Sequence, residues 1–151
     1  MKSKIKNKIL IIHGPNLHLL GKRETNIYGK FTLSQINKEL KDKAKKSNFA
    51  VESVQFNSEG EIVDKITKGK YSFLIINPAA YTHTSVAIRD GLLGIDKPTI
   101  EVHISNIYKR EDFRRKSLVS DVVLGVISGL GKQSYLLALE AAITFLKNKS
   151  N

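Results

Sequence analysis

The strongest constraint on the fold is an alternation. Five short apolar runs recur along the chain, and each is followed by a segment whose apolar residues return at helical spacing. Lys8–His13 predicts a first strand, and a long polar loop follows it. Thr32 is placed to cap a helix over Leu33–Lys46, with Leu33, Ile36, Leu40 and Ala44 on one face. Phe49–Phe56 predicts a second strand and Ser58–Lys68 a short helix, which Gly69 stops. Tyr71–Ile76 is continuous and apolar, as expected of a strand buried on both faces. A loop over Asn77–Thr84 leads to a helix over Ser85–Ile95, and Pro98 opens a fourth strand running to about Ile104. Ser105–Ser117 is polar and basic, with at most one irregular turn expected. Val122–Val126 predicts the fifth strand, and Gly129-Leu130-Gly131 turns into a last helix over about Lys132–Lys147.

Strict β-α alternation with short connections implies a parallel sheet covered by helices on both faces, with right-handed crossovers. No internal repeat and no linker interrupts the pattern, so residues 1–151 are expected to form a single domain. For five strands the common doubly wound order is 2-1-3-4-5, a flavodoxin-like α/β arrangement. Ligands of such sheets sit beyond the carboxyl ends of the strands, near the switch point between strands 1 and 3. The polar oddities of this chain fall there. Asn16, Arg23 and Tyr28 follow strand 1, while Asn77 and His83 follow strand 3. Glu101 and His103 end strand 4, and Ser105, Arg110 and Arg114 come after it. Segments leading from helices into strands carry no comparable set.

Composition removes other classes. No apolar run is long enough for a membrane span. The basic start precedes an apolar stretch shorter than the core of a secretory leader, so a cytoplasmic protein is expected. Without cysteine there is no disulfide, thiolate nucleophile or Cys-ligated zinc. The formal charge of +11 suggests nucleic acid. Most lysines, however, are scattered over predicted helix surfaces, without the interleaved aromatics of a single-strand binder. A nucleic-acid partner therefore rests on net charge alone, and an anionic small molecule suits the chain better. Neither GxxxxGK[ST] nor GxGxxG occurs, so nucleotide and flavin binding lack support. A phospho-receiver would carry acidic residues after strand 1, where none precedes Glu24.

The loop Ile11–Gly29 gathers Asn16, Arg23 and Tyr28, together with His13 and His18, which are read as structural. A phenol ionises near pH 10, so a tyrosinate base near pH 7 needs about 4 kcal/mol of differential stabilisation. A guanidinium in a dry site supplies interaction of that kind. Glu101 and His103 are two apart on a strand and point to one face. A carboxylate there orients the imidazole as a general acid. A metal site built on Glu101, His103 and His83 finds no supporting spacing.

These residues also carry a resemblance. Gly14-Pro15-Asn16-Leu17 with Leu20-Gly21, Arg23 and Tyr28-Gly29 resembles the opening motif of type II 3-dehydroquinate dehydratases. Asn57–Asp64, Asn77–Asp90, Glu101–Arg115 and Gly125–Leu139 resemble further stretches of that family, in order and over nearly the whole chain. The resemblance implies dehydration of 3-dehydroquinate to 3-dehydroshikimate, the third step towards chorismate, by anti elimination through an enolate. It implies no cofactor, metal or Schiff base. Tyr28 is implied as the base and Arg23 as the group favouring its tyrosinate. Asn16 is implied to order a water at the enolate, and His103, oriented by Glu101, to act as the acid. Asn77, His83, Ile104, Ser105 and Arg114 match substrate-binding positions, and Asp90 matches one contributed across a subunit interface. The family's homododecamer built from trimers and its Gly21–Gly29 lid are likewise implied. Ser58 and Lys116 stand where that family often has histidine, and neither position carries the chemistry.

Overall fold

The computed structural model describes residues 7–150; the basic start weighed above as a leader lies outside the described residues. The five strands are β1 (Lys8–His13), β2 (Ala50–Gln55), β3 (Phe73–Asn77), β4 (Thr99–His103) and β5 (Gly125–Ser128). They form one parallel sheet in the order β2-β1-β3-β4-β5, the flavodoxin-like arrangement expected. Its helices are a four-residue α1 (Thr25–Tyr28), α2 (Leu33–Lys46), α3 (Glu59–Lys68), α4 (Val86–Gly94) and α5 (Gln133–Lys149). No helix among the described residues is long and apolar enough to cross a membrane.

The two-residue period of the strands divides the core. Ile9, Ile11, Phe73, Ile75, Ile100 and Val102 face one way and pack with residues of α2 and α5. Leu10, Ile12, Leu74 and Ile76 face the other way and pack with residues of α3 and α4. Side chains buried on both sides explain why β1 and β3 are continuously apolar in sequence. Thr32 caps α2 in a reciprocal box: its hydroxyl accepts from Gln35 N–H at 3.2 Å, and Gln35 Oε1 accepts from Thr32 N–H at 2.9 Å. Ser58 and Ser85 cap α3 and α4 in the simpler way.

Two expectations need correction. The fifth strand begins at Gly125, because Ser120–Val122 forms a 3-10 turn and Val122 and Val123 pack into the α3/α4 core. Pairing with β4 begins only where Leu124 N–H reaches Thr99 O at 2.9 Å. The polar segment after β4 holds two 3-10 turns, Ile107–Lys109 and Asp112–Arg115, against the single irregular turn expected. Asn106 Oδ1 accepts from Tyr108 N–H and caps the first of them.

The β1 and β3 ends meet tightly at the switch point. Gly14 N–H donates to Asn77 O at 2.8 Å, and a Cβ on Gly14 would lie 2.5 Å from Pro78 O. Only glycine permits this approach. Both connecting loops therefore leave the sheet side by side, and the space above them is the site.

Candidate active site

A cleft opens above the carboxyl ends of β1, β3 and β4. Asn16, Arg23, Tyr28, Asn77, His83, His103, Ile104, Ser105, Arg110 and Arg114 line it. All ten were expected at this end of the sheet from sequence, nine of them with a stated role, from segments up to 98 residues apart.

The best-built part of the cleft is a dyad at the end of β4. His103 Nε2–H donates to Glu101 Oε2 at 2.5 Å. The carboxylate is fully buried and also receives the Ser120 hydroxyl at 2.6 Å and the Ser117 hydroxyl at 3.2 Å. Burial pushes the Glu101 carboxyl up, but His103 and the two serines outweigh it and hold the group below the ordinary carboxylate range. Glu101 thus stays ionised and fixes the ring, leaving Nδ1 as the imidazole nitrogen available to the cleft.

Tyr28 lines the same cleft. Its oxygen accepts from Arg110 Nη1–H at 2.6 Å, and the same guanidinium lies 5.2 Å from the ring centroid. Arg23 sits 5.9 Å from that centroid and pairs with Glu24 at 2.8 Å. Arg110 was placed in sequence at the ligand end, after strand 4, but was given no role there; its partner is 82 residues away. The Tyr28 peptide ends α1, whose boundary at Gly29 has φ of +88°, a conformation that favours glycine.

The remaining wall is polar and basic. His83 Nδ1–H donates to Lys116 O at 2.7 Å, so Nε2 is its free nitrogen. Burial lowers the His83 pKa and outweighs the hydrogen bond to Lys116 O, which raises it; the neighbouring His103 and Arg114 lower it further. The Lys116 carbonyl serves here, and its side chain does not. Arg114 is tied through Nε to Glu111. The Ile104 carbonyl accepts from Gly131 N–H at 3.0 Å and the Ser105 carbonyl from the Ser128 hydroxyl at 3.0 Å, which steadies the backbone after the dyad. Three guanidiniums facing one cleft favour an anionic ligand.

Not every expected residue reaches the cleft. Glu101 lies behind His103. Asp90 is on the exposed surface of α4 and does not line the cleft. Arg89 pairs with Asp121 and donates to Leu118 O, fastening α4 to the turn before β5. His13 is fully buried beneath the cleft, as its structural reading anticipated, whereas His18 is exposed.

Fold and site together define a flavodoxin-like α/β protein with a tyrosine, an imidazole-carboxylate pair and arginines at its switch point. The family model described as dehydroquinase class II matches residues 7–143. A 3-dehydroquinate dehydratase of Francisella philomiragia is 55% identical over 141 residues, covering 93% of this chain and 97% of that protein. One of Shewanella sediminis is 54% identical over 145 residues, covering 96% of each. A crystal structure of type II dehydroquinase from Propionibacterium acnes superposes with a TM-score of 0.88 at 40% identity, covering 94% of this chain and 99% of that one. This chain belongs to the class II dehydroquinase family, a family of hydro-lyases.

Proposed function

We propose that this protein dehydrates 3-dehydroquinate to 3-dehydroshikimate by anti elimination through an enolate. The observation that carries the reading is the presence of two proton-transfer groups in one basic cleft: Tyr28 under a guanidinium, and His103 on a buried carboxylate.

A proton next to a ketone is removed only by a base with the developing enolate stabilised, and hydroxide leaves only when protonated. Tyr28 as tyrosinate takes the C2 proton, and the electron pair moves into the C3 carbonyl to give the enolate. A cation that donates to a phenolic oxygen stabilises phenolate over phenol, which is the work assigned to Arg110, while Arg23 beside the ring adds a second positive charge. Asn16 orders a water against the enolate oxygen. The enolate then collapses, the C1–O bond breaks, and the imidazolium of His103 gives its proton to the departing hydroxyl. Water leaves and a C1–C2 double bond conjugated with the ketone remains. Asn77, His83, Arg114 and the Ile104–Ser105 backbone hold the carboxylate and hydroxyls of the substrate. The relatives named as dehydratases support the substrate, and the reaction needs no cofactor or metal.

The role as the third step towards chorismate, a cytoplasmic location, and assembly as a homododecamer of trimers belong to the same proposal. Asp90, exposed on α4, then binds substrate in a neighbouring subunit. Purified protein mixed with 3-dehydroquinate is expected to produce the enone absorbance in the presence of chelator and after borohydride treatment. Absence of turnover under those conditions overturns the proposal. Light scattering on the same sample is expected to give twelve times the chain mass.

A further inference from the structure

Beneath the cleft lies a chain of hydrogen bonds whose every direction can be worked out from one backbone group. Ala79 N–H, a donor only, points at Asn77 Oδ1 at 3.0 Å. The other end of the Asn77 amide is therefore its Nδ2, which donates to the Tyr135 hydroxyl oxygen at 3.0 Å. With its oxygen receiving, Tyr135 directs its own hydrogen to the remaining neighbour, His13 Nδ1, at 2.9 Å. His13 must then carry its proton on Nε2, which donates to Asn37 Oδ1 at 2.8 Å. Four side chains from β1, α2, β3 and α5 thus share one polarity.

We propose that His13, locked as its Nε2–H form between Asn37 and Tyr135, is a positioning residue that sets the Asn77 amide for substrate. The inference deepens the proposed function and rests on Asn77 being a substrate contact. The relay explains several features at once. His13 and Tyr135 are fully buried, beside a core face otherwise made of Ile, Leu, Val, Ala and Phe, where an apolar pair would pack at lower cost. Among the described residues no buried side-chain polar atom lacks a partner, so the chain is complete. A satisfied buried network holds one arrangement, because any member that turns strands a buried donor or acceptor. Asn77 Oδ1 also keeps Ala79 at its positive φ of 53°, so the amide and the adjoining wall are set together. The remaining Asn77 hydrogen is left for the cleft.

Burial lowers the His13 pKa to about 4, so the ring is neutral over the working range of the enzyme. The groups facing it are Tyr135 from α5, Asn37 from α2, and across the sheet Gln55 and Asn77. All are uncharged, and no charged neighbour acts on it.

The test is Asn37→Asp, a half-buried position on α2 outside the cleft. A carboxylate at Nε2 holds His13 protonated on both nitrogens. Tyr135 then receives two hydrogens and its own has no acceptor unless the Asn77 amide turns over. The expected result is a KM for 3-dehydroquinate raised about tenfold at pH 6, with kcat within twofold, as for loss of one substrate hydrogen bond. The rise fades at high pH as the ring loses its second proton, whereas the KM of the unmodified protein stays flat. Tyr135→Phe, which removes the hydroxyl, is expected to raise KM similarly at all pH values. A folded Asn37→Asp protein with unchanged KM at pH 6 overturns the relay. Nitrogen NMR of the unmodified protein without substrate is expected to show neutral His13 protonated at Nε2; a ring protonated at Nδ1 overturns it too. If the unmodified protein does not turn over 3-dehydroquinate, the functional proposal falls alone, and the ring tautomer still decides the relay.

Discussion

The two sides of the cleft are built in opposite ways. On one side, Glu101 and His103 are 0% and 5% exposed, rise from a central strand, and are held by three side-chain donors besides their own pairing. On the other, Tyr28 ends a four-residue helix with no buried residue, and the Arg23 side chain beside it is 41% exposed. As the proposed proton donor, an imidazole oriented by a buried carboxylate costs no reorganisation at the moment of reaction. The proposed base, Tyr28, on a short exposed segment, is oriented chiefly by the cation that reaches it, Arg110, which comes from the loop after β4. The β4 side therefore organises both halves, one directly and one through an arginine.

Substitutions can break that comparison. Tyr28→Phe is expected to lower kcat by about 10³–10⁴-fold while substrate still binds; near-normal turnover removes Tyr28 as the base. His103→Ala is expected to cost about 10²–10³-fold in dehydration, yet recovered substrate should still exchange its C2 proton with deuterated solvent. Equal loss of both steps contradicts an acid that acts only on the leaving hydroxyl. Arg110→Ala is expected to cost about 10²-fold in kcat with a small change in KM, measured by steady-state kinetics. If Arg23→Ala costs far more, the exposed segment organises its own base.

Stability sharpens the contrast further. The folded His13 pKa of about 4 lies below the ordinary 6.5, so below pH 6.5 the unfolded chain binds a proton that the folded one refuses. Unfolding in urea should show stability falling by about 3 kcal/mol between pH 6.5 and pH 4. Glu101, lowered by its partners, adds a loss at more acid pH, as the medium falls through its folded value. A His13→Asn protein should lack the first fall and keep the second. On the exposed side, Glu24→Ala breaks the Arg23–Glu24 pair and is expected to change stability by less than about 0.5 kcal/mol in the same assay.

The scaffold was legible because its signals are local. β1 and α2 run over the residues their periodicity predicts, and Thr32 caps where a hydroxyl before an amphipathic run should. The fifth strand was misplaced because Val122 and Val123 are apolar for a different reason: they fill the α3/α4 core instead of joining the ladder. Within the site, Glu101 and His103 were readable as a pair from a spacing of two. Arg110 was not, since nothing in its neighbourhood indicates a phenol 82 residues earlier. His13 was recognised as structural, but its link to Asn77 runs through α5 and has no trace in local pattern.

The contact between Gly14 and Pro78 also bears on what this cleft could be made to accept. An added carbon at residue 14 would collide with a backbone carbonyl, and a backbone cannot swing aside as a side chain does. The inner wall thus has no room to be recarved by substitution. Variants selected for bulkier or differently shaped acids are expected to change along Pro15–Tyr28 and Ile107–Arg114, leaving the seam between the first and third strands untouched.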